Sequence, residues 1–301
     1  MDKPGLVGVV TVTFNSGLVL RGFMDSLLKQ THTEFLLYVV DNASSDDTLR
    51  QLAEYQDARI KVIPREVNLG VAQGNNTGIR AALSAGCTAV LLINNDTVFE
   101  SDMLSKLYGG LDQYKCEMTL PKILYFDDPR KIWCAGGQFN RLRGYAAVHY
   151  GEDQPDTGGF DAARQVEYAP TCCILINKTA FSLIGLMDEK YFVYADDADF
   201  CYRAKKAGLK LYYLPTARLM HKVSSLTGGA LSDFTVRFAT RNRIYFMLKN
   251  LGVWRSLLYL PAFQIHLWVS LIFRVIDGRG FLFRQKAFFE GLRMWNFSSE
   301  S

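Results

Sequence analysis

Apolar positions recur in two alternating rhythms over the first hundred residues. Residues 6–13 are β-branched and almost continuously apolar, which predicts a strand buried on both faces. A helical spacing follows over about 18–29, then a second strand over 35–40 that ends at Asp41-Asn42. Ser45-Asp46-Asp47 supplies capping side chains for a helix reaching about Tyr55. A short strand over 60–63 leads to a helix after Gly70, and a fourth strand over 88–93 stops at Asn94-Asn95-Asp96. Strand–helix alternation at this spacing predicts an α/β fold with a doubly wound, mostly parallel, Rossmann-like sheet. Such sheets take ligands beyond the carboxyl ends of their strands. Thr13-Phe14-Asn15, Asp41-Asn42 and Asn94-Asn95-Asp96 all fall at such ends.

The rhythm loosens over about 117–235, where glycine pairs at 136–137 and 158–159 separate strand-like runs at 166–176 and 209–214. From about 236 the chain turns aromatic, aliphatic and basic. Residues 1–235 are therefore expected to form the main domain. Its halves divide at about 1–116 and 117–235, and 236–301 are expected to form a helical C-terminal segment.

Charge refines this division. The net charge of +4 is too small to argue for nucleic acid, but residues 237–293 hold ten Lys or Arg against Asp277 and Glu290. A basic tail on a neutral-to-acidic body suits phosphates or anionic lipid. The composition, 49% hydrophobic and 21% charged, is that of an ordered protein. Six cysteines without a C-x-x-C pair, most inside apolar runs, are expected to be buried free thiols. The amino terminus runs directly into the first strand without a signal-like apolar core, so a cytoplasmic location is expected.

Few residues in this frame suit chemistry. Asp96 ends a hydrophobic strand, and one carboxylate plus diphosphate oxygens is a common way to hold Mg2+ or Mn2+. Asn and Asp after a strand also suit a plain turn. Asp196, Asp197 and Asp199 crowd three acids beside the aromatic run 191–194, which calls for a metal, a base role or a cationic partner. Arg203 stands four residues after Asp199 and offers it a helical ion pair. Asp196 can cap that helix, leaving Asp197 to accept a proton. His221 follows a strand and Pro215, and takes on a metal role only if it lies near Asp96. Gly74 and Gly78, flanking Asn75-Asn76, are four apart, which suits close helix packing as well as nucleotide contact.

Seven stretches together resemble family 2 glycosyltransferases of the GT-A fold, especially the rhamnosyltransferase-like branch. They are VTVTFNS (10–16), VVDNASSDDT (39–48), NLGVAQGNNTGI (68–79), LLINNDT (91–97), WCAGGQFN (133–140), the run from GLMDEKYF to LYYLP (185–215) and HKVSS (221–225). The resemblance implies that Thr13, Asn15, Asp41, Asn76 and Asn95 bind the nucleotide. It gives Asp96 and His221 to the metal, and Asn94 departs from the usual D-x-D-like pattern. Asp197 matches the catalytic base, with Asp196 where Glu is commoner. Trp133, Asp196, Arg241 and Asn242 match acceptor or diphosphate contacts. The activity implied is transfer of a sugar, with inversion, from a dTDP- or UDP-sugar, dTDP-rhamnose foremost, to a saccharide or polyprenyl-linked acceptor. A nucleotidyltransferase on a related fold and an inactive nucleotide-sugar-binding scaffold are the alternatives. The first lacks the basic loop it would want after the first strand.

Residues 256–273 carry no formal charge but include Pro261, Gln264 and His266, with Trp254, Tyr259 and Trp268 at interfacial spacing. A helix or helical hairpin lying in the interface of an anionic membrane is the first expectation, followed by a core-packed amphipathic helix and a full span.

Overall fold

The computed structural model describes residues 5–222 and 232–296, so residues 223–225 of the HKVSS stretch and the first four residues lie outside it. The first half contains β1 (Val7–Thr13), α1 (Gly17–Leu28), β2 (Phe35–Asp41), α2 (Thr48–Ala53), β3 (Ile60–Pro64), α3 (Gly70–Ser84) and β4 (Ala89–Ile93). Next come β5 (Thr97–Phe99), α4 (Met103–Gln113), β6 (Met118–Tyr125), β7 (Ile132–Cys134), β8 (Gly137–Asn140) and β9 (Ala146–His149). β10 (Arg164–Val166), β11 (Cys173–Asn177), α5 (Lys178–Ile184), α6 (Asp196–Lys206) and β12 (Leu211–His221) complete the sheet region. Three helices follow: α7 (Asp233–Leu251), α8 (Val253–Ile272) and α9 (Gly278–Asn296).

The main sheet runs in the order β10-β12-β6-β11-β4-β1-β2-β3. β1 pairs in parallel with β2 and β4, and β2 with β3. The side chains of β1, β2 and β4 are largely buried on both faces, as the continuous apolar runs require, whereas β3 at the sheet edge is partly exposed. β11 departs from the parallel pattern and runs antiparallel between β4 and β6. Its first residue, Cys173, therefore stands opposite Ile93, at the same edge of the sheet as the carboxyl ends of β1, β2 and β4.

The helix α3 lies close on β1 because of its glycine face. A Cβ at Gly74 would stand 2.8 Å from the Val12 methyls, and one at Gly78 2.3 Å from a Val10 methyl. The four-residue spacing thus serves packing. The apolar run 166–176 is not one strand but two. β10 pairs with β12 at the sheet edge, β11 sits centrally, and Pro170, which has no N–H for a ladder, lies between them.

β12 is longer than the 209–214 run suggested. After a register shift between Leu214 and Arg218, beyond Pro215, it continues beside β6 and pairs antiparallel with β5, setting His221 opposite Thr97. The expected boundary at 235/236 falls inside α7. Ile244, Tyr245, Met247 and Leu248 of that helix are buried in the same core as the sheet. All six cysteines are buried and free.

Candidate functional site

A cavity of about 690 Å³ opens along the sheet edge where these strand ends meet. The β1 and β4 ends bring Thr13, Asn94, Asn95 and Asp96, the β10–β11 connection Tyr168 and Cys172, and β12 His221. Trp133, His149, the 192–194 segment, Asp196 and Asp197 close the remaining walls.

The β5–β12 register carries His221 to Asp96. The imidazole Nε2 lies 3.2 Å from Asp96 Oδ1, and both residues are buried. The Trp133 ring stands edge-on to the His221 ring at 4.7 Å and fixes its plane. His221 Nδ1 is buried without a hydrogen-bond partner among the described residues. One carboxylate and one imidazole form a hard, borderline donor pair suited to Mg2+ or Mn2+. Among the described residues no cluster of three or more His, Cys, Asp or Glu is poised for a metal. A cation here must therefore draw its other ligands from water and bound phosphate, as Mg2+ does by preference.

The three acids of α6 part company in the structure. Asp199 is fully buried and turns into the protein, where it accepts from Arg203 Nε at 2.8 Å and Asn250 Nδ2 at 2.8 Å, with Lys249 Nζ also 2.8 Å away. Asp196 and Asp197 turn to the cavity. Burial, and then the charge of Asp197, pushes the Asp196 carboxyl up to about 8. Its Oδ2 has no partner among the described residues. Burial also raises Asp197, opposed by a 2.7 Å hydrogen bond that the Tyr168 hydroxyl donates to Oδ2. Two adjoining buried carboxyls do not both ionise readily, and the Tyr168 hydroxyl and Ala198 N–H, which both donate to Asp197, favour the charged form on that residue.

The backbone before α6 is strained to make this presentation. Tyr194 and Ala195 both take left-handed conformations, φ 64° each, without being glycine. Asn242 of α7 holds them there, its Nδ2 donating to the carbonyls of Val193 (2.7 Å) and Tyr194 (2.8 Å). Gly70 allows the Phe192 carbonyl to approach α3, where it accepts from Val71 N–H at 2.7 Å.

The other expected site residues divide sharply. Thr13 lines the cavity and donates its hydroxyl proton to Asp41 Oδ1 at 2.8 Å. Asp41 itself, 1% exposed, sits behind Thr13 and also accepts from Ser44 N–H and hydroxyl, so it does not form the wall. Asn95 does, with its amide donating to the Val12 carbonyl. Asn15 does not. Its side-chain oxygen accepts from Ser45 and Asp46 N–H groups and shapes the loop after β2. Asn76 is spent on the protein as well, donating to the Met187 carbonyl and Glu189 and accepting from Met187 N–H. Trp133 lines the cavity as expected. Arg241 lies off it, donating to Asn242 Oδ1 and packed over the Phe238 ring, and Asn242 supports the wall from behind.

Asn42 was marked in the sequence only as part of a strand end, and two further wall residues, Tyr168 and His149, carried no signal there. Asn42 lines the cavity, and its Oδ1 has no partner among the described residues. Tyr168 reaches Asp197 across 29 positions, and His149 stacks on the Tyr168 ring at 5.6 Å. Contacts between residues so far apart in the chain leave no local spacing to read.

Comparisons with known proteins agree with this geometry. A family model described as glycosyl transferase family 2 matches residues 8–182. The chain is 25% identical over 265 residues to an N-acetylglucosaminyl-diphospho-decaprenol L-rhamnosyltransferase of Mycobacterium tuberculosis, covering 82% of this chain and 86% of that one. It is 23% identical over 214 residues to the dTDP-rhamnosyl transferase RfbF of Shigella flexneri, covering 71% and 68%. Among solved structures, S. aureus TarS 1-349 with UDP superposes with TM-score 0.57 at 19% identity, over 81% of this chain and 66% of that one. GalNAc-T7 with UDP, GalNAc and Mn2+ gives 0.64 at 15% identity, over 83% and 48%. These structural likenesses place the fold in the GT-A class.

Proposed function

The chain belongs to glycosyl transferase family 2, and on that premise we propose that it moves a sugar, with inversion, from a pyrimidine nucleoside diphosphate to a lipid-linked or saccharide acceptor. The observation that carries this is the sharing of one cavity by Asp197 and by the Asp96–His221 pair. A proton acceptor and a metal-binding pair in one crevice suit displacement of a nucleoside diphosphate better than a scaffold role.

Asp197 takes the proton of the acceptor hydroxyl while that oxygen bonds to the anomeric carbon and the bond from that carbon to the diphosphate oxygen breaks. Burial raises its basicity, and Tyr168 fixes the oxygen that does not receive the proton. Asp96 and His221 would hold Mg2+ or Mn2+, whose charge neutralises the departing diphosphate. A single displacement opposite the leaving group inverts the sugar carbon.

For the base, Thr13 replaces Asp41 as the contact. With its proton committed to Asp41, the Thr13 oxygen can only accept, which suits the N3–H of thymine or uracil. Asn42 Oδ1 is a second acceptor. dTDP-rhamnose is the leading donor, supported by the names of two relatives and by a wall of Trp133, Pro170 and Cys172 that suits a deoxy sugar. The name of the Mycobacterium tuberculosis relative favours an acceptor carried on a polyprenyl diphosphate.

A thermal-shift series tests the donor site, because a ligand of the folded state raises apparent stability. With Mn2+ or Mg2+, dTDP and UDP are expected to raise the unfolding temperature and GDP is not. Asp96→Ala should remove the metal-dependent part of the shift, and His221→Ala a smaller share of it. Equal losses with and without EDTA would show that Asp96 shapes only a turn.

Tyr168→Phe isolates the positioning of the base. Its hydrogen bond lowers the Asp197 pKa, so its loss is expected to move the acidic limb of the kcat/KM profile to higher pH. A fall in kcat of about 10-fold should accompany this, less than the roughly 10²–10⁴-fold worth of the base itself, which the variant keeps. An unmoved pH profile would refute the assignment.

The C-terminal helices extend the proposal to a membrane surface. No described helix is long and apolar enough to cross a bilayer. Nevertheless α8 is apolar on two faces. Leu260, Phe263 and Leu267 turn inward, while Trp254, Leu258, Ile265, Trp268 and Ile272, at helical spacing, are exposed. A helix apolar all round favours burial in protein or lipid.

A further inference from the structure

The β8–β9 hairpin joins two surfaces. At its base, His149 lies on the cavity wall opposite Gly137 in the ladder. Its tip, residues 140–145, rests on α7 and α8. Asn140 Oδ1 accepts from the N–H groups of Leu142 (3.0 Å) and Arg143 (3.2 Å), closing a tight turn. Gly144 takes a left-handed φ of 60° and sits against Met247, where a Cβ would stand 2.8 Å from the sulfur. Arg243 of α7 donates to the Arg143 carbonyl, and the Tyr145 ring stands edge-on to Tyr259 of α8 at 6.4 Å.

What this well-held turn displays is apolar. Leu142 is 95% exposed, and Arg141 and Arg143 on either side are exposed too. A lone exposed leucine is ordinary on a protein surface. This one is fixed at the apex of a braced turn, between two cations, beside the helix whose outer stripe begins at Trp254 and Leu258. No carboxylate occurs in 140–145 or in α8, whereas Arg141, Arg143 and Arg255 are all exposed. A leucine framed by arginines matches the layering of an anionic bilayer, with acyl chains below and phosphates at the rim.

We propose that the hairpin tip is a second membrane contact of this protein, with Leu142 inserted and Arg141 and Arg143 at lipid phosphates. The proposal rests on the reading of α8 as membrane-associated, and adds to it a contact made by the catalytic body. Its consequence is positional. β8 and β9 have four residues each, and at about 3.3 Å per residue they set His149 roughly 13 Å from the tip. With α8 and the hairpin both seated, the cavity is held at a defined height above the lipid. An acceptor anchored in that bilayer then presents its hydroxyl to Asp197 at a fixed depth.

Vesicle flotation tests this without any need to know donor or acceptor. Full-length protein is mixed with vesicles of phosphatidylcholine alone or with added phosphatidylglycerol, beside Leu142→Asp, the double variant Arg141→Glu/Arg143→Glu, and Leu183→Asp as an exposed control on α5. Circular dichroism verifies that each is folded. The wild type and the control are expected to float with phosphatidylglycerol vesicles. Leu142→Asp should lower the partition coefficient at least tenfold, in line with the loss of one inserted leucine. The charge-reversed pair should lower it at least tenfold on phosphatidylglycerol vesicles and leave binding to phosphatidylcholine unchanged. Folded variants that float as well as wild type overturn the hairpin contact and leave the α8 reading standing. A wild type that never floats overturns both. Size-exclusion chromatography adds the remaining outcome: an oligomer that Leu142→Asp dissociates, with flotation unchanged, makes the tip a contact between copies and sinks the proposal.

Discussion

Asp197→Asn is expected to lower kcat by about 10²–10⁴-fold, the usual worth of a general base, and to leave nucleoside diphosphate binding close to wild type. The amide keeps the shape of the carboxyl but cannot accept the acceptor's proton as it leaves. Tyr168 can donate to the amide oxygen as it does to Oδ2, while the Ala198 N–H, which donates to Oδ1, loses its partner to the amide nitrogen. The test is steady-state transfer with donor and acceptor, set beside dTDP or UDP binding by calorimetry. Near wild-type turnover would remove Asp197 from the base role. Loss of nucleotide binding would instead assign it to donor recognition. Measurable transfer by the wild type excludes the scaffold reading, which expects nucleotide-sugar binding without turnover.

Two residues along the same helix, Asp199→Ala is expected to act on stability. Asp199 is fully buried and receives Arg203, Lys249 and Asn250 together. Removing it leaves Arg203 with only the Ile184 and Leu186 carbonyls, takes one of two carboxylates from Lys249 and deprives the buried Asn250 amide of its acceptor. Breaking a buried ion pair by deleting one partner costs about 3–5 kcal/mol. Lys249 keeps a second carboxylate in Asp188, 2.7 Å away, which places the expected loss at the lower end, about 3 kcal/mol. Chemical denaturation should show it as a lower midpoint at unchanged slope. The folded fraction should retain metal-dependent nucleotide binding, because no group of the Asp96 side of the cavity is touched. A midpoint within about 0.5 kcal/mol of wild type, the size of an ordinary surface change, would show that the network contributes little. Asp197 and Asp199 thus separate a catalytic from a structural effect across two positions of one helix.

That separation was partly legible in the chain. The i,i+4 spacing of Asp199 and Arg203 announced a structural pair, and the structure contains it at 2.8 Å. The spacing could not announce Lys249 and Asn250, which arrive from α7 after a separation of some fifty residues. The strands with continuous apolar runs, β1, β2 and β4, were read within a residue or two, because burial on both faces leaves a pattern in local sequence. The run at 166–176 misled for the same reason. Its apolarity belongs to two strands in different places, and only Pro170 hinted at the break. Asn15 and Asn76 lie in stretches that resemble the family and Arg241-Asn242 matches it as a pair, yet their side chains are hydrogen-bonded within the protein. They shape loops and brace the 193–195 turn instead of lining the cavity.

By itself the sequence determined the alternation of buried strands and amphipathic helices, the strand ends at which chemistry gathers, the crowded acids at 196–199 and the basic, uncharged-cored tail. Each of these is a property of neighbours along the chain, set by periodicity, propensity and local charge. Tertiary structure alone decided which of those residues face one another. The antiparallel insertion of β11 and the register of β12 on β5 set His221 against Asp96. The strained turn at Tyr194 and Ala195, held by Asn242, aimed Asp196 and Asp197 into the cavity and left Asp199 inside. Side-chain direction at such points depends on sheet register and on backbone held in uncommon conformations by distant partners, and neither leaves a period in the sequence.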